Sequence, residues 1–193
     1  ASGSGAGTGG SVSAGTNAPG IESFSTGTTA TGYAATLIAG NQLLGSRGVI
    51  HWRARFGIRT ASDGTETFAV QAGLSQALTS LTPSRACLFR YQHSVNGGLL
   101  ECVNRNASSE AGSVFSTSIN PVMASGFLDL EIKLDVANGL VTYVSNGAVV
   151  TTIAVNVPSD GIGAGVSILK SAGLNARTFD IDAQGIWQGG LSR

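Results

Sequence analysis

The chain has 193 residues, of which 42% are hydrophobic and only 11% are charged. This length suits one all-β domain with an appendage and needs no second core. Eleven basic and eleven acidic side chains give a net charge of zero, which excludes the strongly basic surface typical of proteins that bind nucleic acid or anionic membranes.

Residues 1–20 contain seven glycines and very little that could be buried. Ordering such a Gly/Ser-rich segment costs conformational entropy that its own contacts cannot offset. We therefore predict an extended N-terminal arm that is ordered by lying on a neighbouring subunit. The arm and its lead-in strands are assigned to residues 1–40, and a β-sandwich to residues 41–193. The predicted partner-binding positions of the arm are Gly3, Gly5, Gly7, Gly9, Gly10 and Val12.

Alternating polar and apolar residues predict β-strands from residue 21 onward. Short runs at residues 21–24 and 33–38 come first. Residues 49–59 alternate well, and Asp63-Gly64 makes a turn into a returning strand at residues 65–75. The positions of the two long strands predicted to face the core are Ile50, Trp52, Ala54, Phe56, Ile58, Phe68, Val70, Ala72 and Leu74. The opposite face of the first long strand carries His51, Arg53, Arg55 and Arg59.

The next two strands are predicted at residues 86–93 and 99–106, on either side of the turn residues Asn96-Gly97-Gly98. They carry the two cysteines, Cys87 and Cys102. Because the strands are consecutive, a disulfide is geometrically open to them. Two reduced, half-buried thiols are the favoured interpretation, because two cysteines do not make a disulfide framework.

Residues 127–154 predict a three-stranded antiparallel meander. In its first strand, apolar and charged residues alternate strictly: Leu128, Leu130, Ile132 and Leu134 with Asp129, Glu131, Lys133 and Asp135. Asn146-Gly147 lies between two β-branched runs and is a strong hairpin signal, because a type I′ turn needs positive φ at both central residues. Asn138-Gly139 marks the other join.

The last strands are predicted at residues 163–170 and 177–187. In the second of them, Phe179, Ile181 and Ala183 are expected to face the core, with Asp180 and Asp182 facing solvent. Roughly ten short strands without helical periodicity predict an all-β fold, an antiparallel two-sheet sandwich or jelly roll with an extended Gly/Ser-rich N-terminal arm.

The order of these features resembles the concanavalin A-like jelly rolls (lectin, laminin-G and glucanase), particularly those of tailed-phage structural proteins. The resemblance covers roughly residues 45–187 and rests on the pattern of the strands. The stretches that carry it are Trp52–Phe56, Phe68–Leu74, Cys87–Tyr91, Leu128–Asp135, Val141–Gly147 and Phe179–Asp182. Such a family includes sugar binders, hydrolases and structural virion parts, so the fold alone does not choose a function.

Glucanases of this fold place their catalytic carboxylates on one strand as Glu-x-Asp-x-x-Glu. Here Asp129 and Glu131 share a strand face about 7 Å apart, a spacing that suits glycoside hydrolysis. Leu134 occupies the place of the third acid, and Lys133 lies on the same face. We therefore predict no catalytic residue and no enzymatic activity.

Four further residues are predicted to contact a partner: Arg53, Arg55, Arg59 and Trp187. The arginines form a basic strip on one strand face, suited either to the carboxylates of a neighbouring chain or simply to solvent. Trp187 lies near the end of the last strand, and we predict that it contacts a partner.

No metal site or cofactor is predicted. His51 and His93 have no acid within two residues and no Cys or His at ligand spacing. Asp180 and Asp182 have the oxygen ligands that calcium takes, but a solvated strand face is the favoured interpretation.

The favoured function is that of a non-enzymatic virion protein of a tailed phage, a capsid decoration or cement protein. Its arm and sandwich would bind the major capsid protein and neighbouring copies of this chain, for example in a trimer. It would be made in the host cytoplasm, since the N-terminus lacks the blocks of a signal peptide, and would lie on the capsid surface. The alternatives are a head- or tail-fibre domain that binds host carbohydrate, and a glycan hydrolase.

Overall fold

The structure is a computed structural model that describes residues 11–12, 20–44, 47–123 and 126–189. These ranges contain a sandwich of two antiparallel sheets, which confirms the predicted all-β jelly roll. They include no helix long and apolar enough to cross a membrane. The strands are β1 (Ser11–Val12), β2 (Glu22–Ser25), β3 (Tyr33–Leu44), β4 (Val49–Ile58), β5 (Phe68–Ser75), β6 (Ala86–Gln92), β7 (Glu101–Arg105), β8 (Val114–Ser116), β9 (Leu128–Asp135), β10 (Leu140–Ser145), β11 (Ala148–Ile153), β12 (Asp160–Lys170) and β13 (Thr178–Gly189).

The two sheets enclose one main core. The seven-stranded sheet has the order β1-β2-β13-β4-β9-β10-β11, and the six-stranded sheet has the order β3-β12-β5-β6-β7-β8. Every core position predicted on β4 and β5 is at most 1% exposed. Because side chains alternate across a strand, burying one face of β4 leaves His51, Arg53 and Arg55 on the outer face of the seven-stranded sheet.

The central meander is confirmed as β9, β10 and β11. Ser145 pairs with Ala148 across a two-residue turn, in which Asn146 and Gly147 have φ of 50° and 79°. These are the positive φ values that the Asn-Gly signal predicts. On β9, Leu130 is fully buried while Asp129 is directed outward, next to β4.

A β-bulge interrupts the last strand and changes which of its side chains face the core. The register of β13 against β4 shifts between Ile181 and Ala183. Beyond the bulge, Ala183 pairs with Arg55 and Trp187 pairs with His51, so both lie on the outer face. The prediction that Ala183 faces the core is wrong, because a bulge inserts one residue into the alternation.

The lead-in strands are part of the sandwich. β2 lies between β1 and β13 in the seven-stranded sheet, and β3, which spans the predicted boundary at residue 40, forms an edge of the other sheet. Val12 lies on β1, where it pairs with Glu22. The other predicted arm positions, Gly3, Gly5, Gly7, Gly9 and Gly10, lie outside the described residues.

Both cysteines are free thiols in the core. Cys87 pairs with Asn104 and Cys102 pairs with Phe89, so the two thiols are not directly opposite one another. Each is 0% exposed, so the prediction of half-buried thiols is wrong. Burial raises the pKa of both thiols, because an apolar environment disfavours the thiolate.

Candidate functional site

Ion pairs cross the outer face of the seven-stranded sheet at β9, β4 and β13. Arg53 Nη2 lies 3.3 Å from Asp129 Oδ1, and Arg55 Nη1 lies 3.2 Å from Asp182 Oδ2. All four side chains are at least 31% exposed. Pairs so accessible to water contribute only about 0–1 kcal/mol to stability. These charged groups are therefore available to a ligand without being required to hold the sandwich together.

Arg59, the third arginine of the strip, is held in an ion pair that joins strands. Arg59 donates from Nε and Nη2 to the two carboxylate oxygens of Asp180, at 2.8 and 3.0 Å. Ser23 Oγ donates to the same carboxylate at 2.6 Å. The side chain of Asp180 is only 4% exposed, and its hydrogen bond raises the pKa of Arg59. This cluster joins β13 to β2 and lies apart from the exposed pairs.

Trp187 is an exposed aromatic residue on this face. Its indole is 48% exposed and stacks on the His51 ring, with centroids 4.9 Å apart and planes 12° apart. His51 Nδ1 lies 3.3 Å from Glu131 Oε1, so a carboxylate on β9 orients the imidazole. The His51 ring covers one face of the indole and supports it, and the other face of the indole is directed to solvent.

A groove lies directly beside this indole. It has a volume of about 450 Å³ and is lined by Arg53, Arg55, Asp129, Asp182 and Trp187, together with residues 183–185. Two cations and two carboxylates line it, so its charges balance. The groove therefore combines an aromatic platform with closely spaced hydrogen-bond donors and acceptors.

The carboxylates of this face are engaged by basic side chains. Asp129 pairs with Arg53, and Glu131 lies near both His51 and Lys133. Leu134, at the position of the third glucanase acid, is fully buried in the core. Among the described residues, no group of three or more His, Cys, Asp or Glu side chains is arranged to hold a metal ion.

Three of the predicted partner-binding residues, Arg53, Arg55 and Trp187, converge on the groove. The arginines of the strip pair with carboxylates of their own chain. Sequence reasoning found no acid near His51, because Glu131 is 80 residues away along the chain. The only local signal for this contact was the outward register of Glu131 on its alternating strand.

Comparison with known proteins identifies a family. A family model described as "SO2946-like, C-terminal domain" matches residues 17–182. No curated protein matches the chain significantly.

Solved structures with similar folds include both lectin domains and lyases. The carbohydrate recognition domain of Emp47p has a TM-score of 0.61 at 11% identity, over 86% of this chain and 83% of that chain. A family 7 alginate lyase, A1-II′, in complex with substrate has a TM-score of 0.57 at 14% identity, over 90% and 80%. A sialidase has a TM-score of 0.56 at 7% identity, over 88% of this chain but 15% of its own. These similarities confirm the concanavalin A-like jelly-roll fold.

Proposed function

The chain belongs to the family of SO2946-like C-terminal domains, and we propose that it is a glycan-binding module whose ligand lies in the groove beside Trp187. The exposed indole, stacked on His51 beside two arginine–carboxylate pairs, is the observation that carries this proposal. An aromatic face offers a large apolar contact with a defined orientation, which suits the C–H face of a sugar ring. Adjacent donors and acceptors suit its hydroxyl groups.

The structural neighbours support a saccharide as the ligand class. Their names include carbohydrate recognition domains and an alginate lyase bound to substrate. Because a fold hosts many functions, this support is secondary to the groove itself. The residues that line the groove can be substituted one at a time to test whether they bind a glycan.

Binding without cleavage is the form of the proposal that we favour. A glycoside hydrolase of the usual kind uses two carboxyl groups, one of them a proton donor. Here Asp129 and Glu131 each lie within 3.3 Å of a basic side chain, so both carboxyl groups already have a partner within this chain. His51 Nδ1 has a carboxylate partner and Nε2 makes no hydrogen bond to the described residues, so His51 is the residue to test for cleavage.

The test is a glycan array followed by fluorescence titration with alginate oligosaccharides and neutral hexose oligosaccharides. The chain has two tryptophans, and Trp52 is fully buried, so a ligand-induced change in emission reports on Trp187. We expect Trp187→Ala to weaken binding roughly 30-fold, equivalent to about 2 kcal/mol for a central aromatic contact; isothermal titration calorimetry measures this variant and its control, because Trp187→Ala lacks the fluorescent reporter. Leu174→Ala is the matched control, since Leu174 is 70% exposed and lies outside the groove.

Two results would overturn the proposal. One is the absence of any glycan that binds the full chain. The other is a hit whose affinity is the same for Trp187→Ala as for the Leu174→Ala control. Depolymerisation of a bound polysaccharide that is lost in His51→Ala and retained in Leu174→Ala would replace binding with catalysis.

A structural role in the virion of a tailed phage is the second proposal. It is supported by the Gly/Ser-rich composition of residues 1–20 and by the scarcity of charge in the whole chain, since charge-poor surfaces favour association. In this role the chain decorates the capsid surface, after synthesis in the host cytoplasm, and its partners are the major capsid protein and further copies of itself. Deletion of residues 1–20 is then expected to abolish incorporation into particles, and unchanged incorporation would exclude the role of the arm.

A further inference from the structure

A second groove runs along one side of the sandwich, between the free edges of the two sheets. β11 ends the seven-stranded sheet and β8 ends the six-stranded sheet. A hollow of about 740 Å³ between them is lined by residues 115–119 and 148–150, with Asn96, Leu99 and Ser145. A further hollow of about 240 Å³ continues between the same edges, lined by residues 112–115 and 151–155. This edge groove is separate from the site beside Trp187.

The edge groove has the properties of a site for an extended peptide. None of its lining residues is charged. Phe115 and Val149, on its two sides, are 42% and 66% exposed. On the outer side of each strand, the backbone N–H and C=O groups have no ladder partner within the described chain, and such an edge is a template for a further strand. Strand addition to an exposed sheet edge is a recurring mode of peptide recognition.

We propose that this edge groove binds residues 1–10 of a second copy of the chain, added as a strand along β11. No charged side chain precedes Glu22 in the sequence, which matches the uncharged lining. Small Gly, Ala, Ser and Thr side chains allow a close backbone approach between two sheet edges. Six residues of β11 provide about 20 Å of edge, which a ten-residue segment covers completely.

The position of β1 explains why the segment comes from another copy. β1 and β11 are the two opposite edges of the seven-stranded sheet. Six inter-strand steps separate them, about 29 Å at 4.8 Å each. Ten residues span at most about 33–36 Å when fully extended. Residues 1–10 join the chain at β1, so they would use almost their whole length to reach the edge groove of their own sandwich. Too few residues would then be left to pair with β11.

The inserted segment, residues 1–10, and the edge groove that receives it then lie on opposite edges of each copy. The contact therefore joins two different surfaces and is heterologous. Such contacts close into rings or continue as open chains. An assembly of this kind would display several copies of the groove beside Trp187 and raise avidity for a repeating glycan. The edge groove itself does not depend on the glycan proposal.

Sedimentation velocity of the full chain over a range of concentrations tests the inference. We expect concentration-dependent association of the full chain. Deletion of residues 1–10 removes the donor, and Val149→Lys places a charge in the acceptor; each is expected to raise the dissociation constant at least tenfold. Phe115→Lys, on the opposite side of the groove, is a second acceptor variant. Leu174→Lys is the matched control and is expected to associate like the unmodified chain.

Mixing the two defective proteins provides the decisive measurement. The deletion variant keeps its groove and Val149→Lys keeps its segment, so an equimolar mixture should form 1:1 pairs that grow no further. The inference is overturned if the full chain is monomeric throughout, if either variant associates like the control, or if the mixture does not pair. It is also overturned if Val149→Lys abolishes glycan binding while Trp187→Ala retains it, because the edge groove would then be a saccharide site.

Discussion

Removal of one buried hydroxyl group tests how the two sheets are held together. Tyr143 lies on β10 and is fully buried. Its hydroxyl crosses the sandwich to β7, where it lies 2.8 Å from Val103 O and 2.7 Å from Asn104 Oδ1. Its ring meets Phe89 edge to face, with centroids 5.2 Å apart. Tyr143→Phe keeps this ring contact and deletes the polar one.

The expected cost follows from the groups left behind. A hydrogen bond contributes about 1 kcal/mol net, and a buried acceptor deprived of its donor adds about 1–3 kcal/mol. Within the described chain, Asn104 Oδ1 has no other hydrogen-bond donor, while the Asn104 amide nitrogen remains tied to Val155 O at 3.1 Å. Asn104 therefore cannot easily turn away to reach water. We expect a loss of about 2 kcal/mol, which in a domain of this size lowers Tm by about 4–8 °C.

Differential scanning calorimetry and urea unfolding at neutral pH provide the measurement. Tyr33→Phe is the matched control, because the Tyr33 hydroxyl makes no hydrogen bond to the described residues; it should change stability by less than about 0.5 kcal/mol. If Tyr143→Phe were no less stable than Tyr33→Phe, the hydroxyl would have no role in joining the sheets.

Three further predictions follow from buried groups and close contacts. Burial raises the pKa of the Cys87 and Cys102 thiols, so the folded state holds the two thiol protons more tightly than the unfolded state does. The free energy of unfolding should therefore fall as pH rises above about 8.5, by up to ~1.4 kcal/mol per pH unit for each thiol. Ellman's reagent should label neither thiol before unfolding. Glu66 accepts backbone N–H bonds from the β12–β13 connection that lower its pKa, so its contribution should be lost as pH falls through the acid range, and Glu66→Gln should flatten the acid limb of the stability–pH curve. Gly73→Ala should cost about 3 kcal/mol or more in urea unfolding, because its Cβ would lie 2.5 Å from a backbone oxygen at a φ of 143°, whereas Gly64→Ala, with open space around it, should be nearly neutral.

The two grooves differ in the kind of ligand that their linings suit. The groove beside Trp187 is rich in charged side chains whose charges cancel, whereas the edge groove has no charge at all. The two proposals therefore expect direct side-chain hydrogen bonds to a ligand in the first groove and backbone pairing in the second. Val149→Lys and Trp187→Ala should therefore have separate effects, because residues with no shared contacts act independently.

Local patterns predicted the elements of this sandwich well. Strict alternation in β4 and β9, and positive φ at Asn146-Gly147, are properties of residues adjacent in the chain, so the sequence alone is sufficient to place them. The same alternation correctly put Trp52 in the core and Arg53 and Arg55 outside. The sequence patterns therefore singled out three of the residues that line the groove, Arg53, Arg55 and Trp187; that these residues contact a partner stays a prediction.

How these side chains come together depended on which strands become neighbours and in which register. The alternation taken without interruption would have pointed Trp187 inward, and only the bulge after Ile181 turns it onto the face of Arg53. Glu131 reaches His51 across two paired strands that are far apart in the chain. A period of two sets each strand's faces, but register and bulges are set by packing between distant segments. The sequence by itself determined the strands and their apolar faces, whereas the tertiary structure decided which polar side chains meet to form a site.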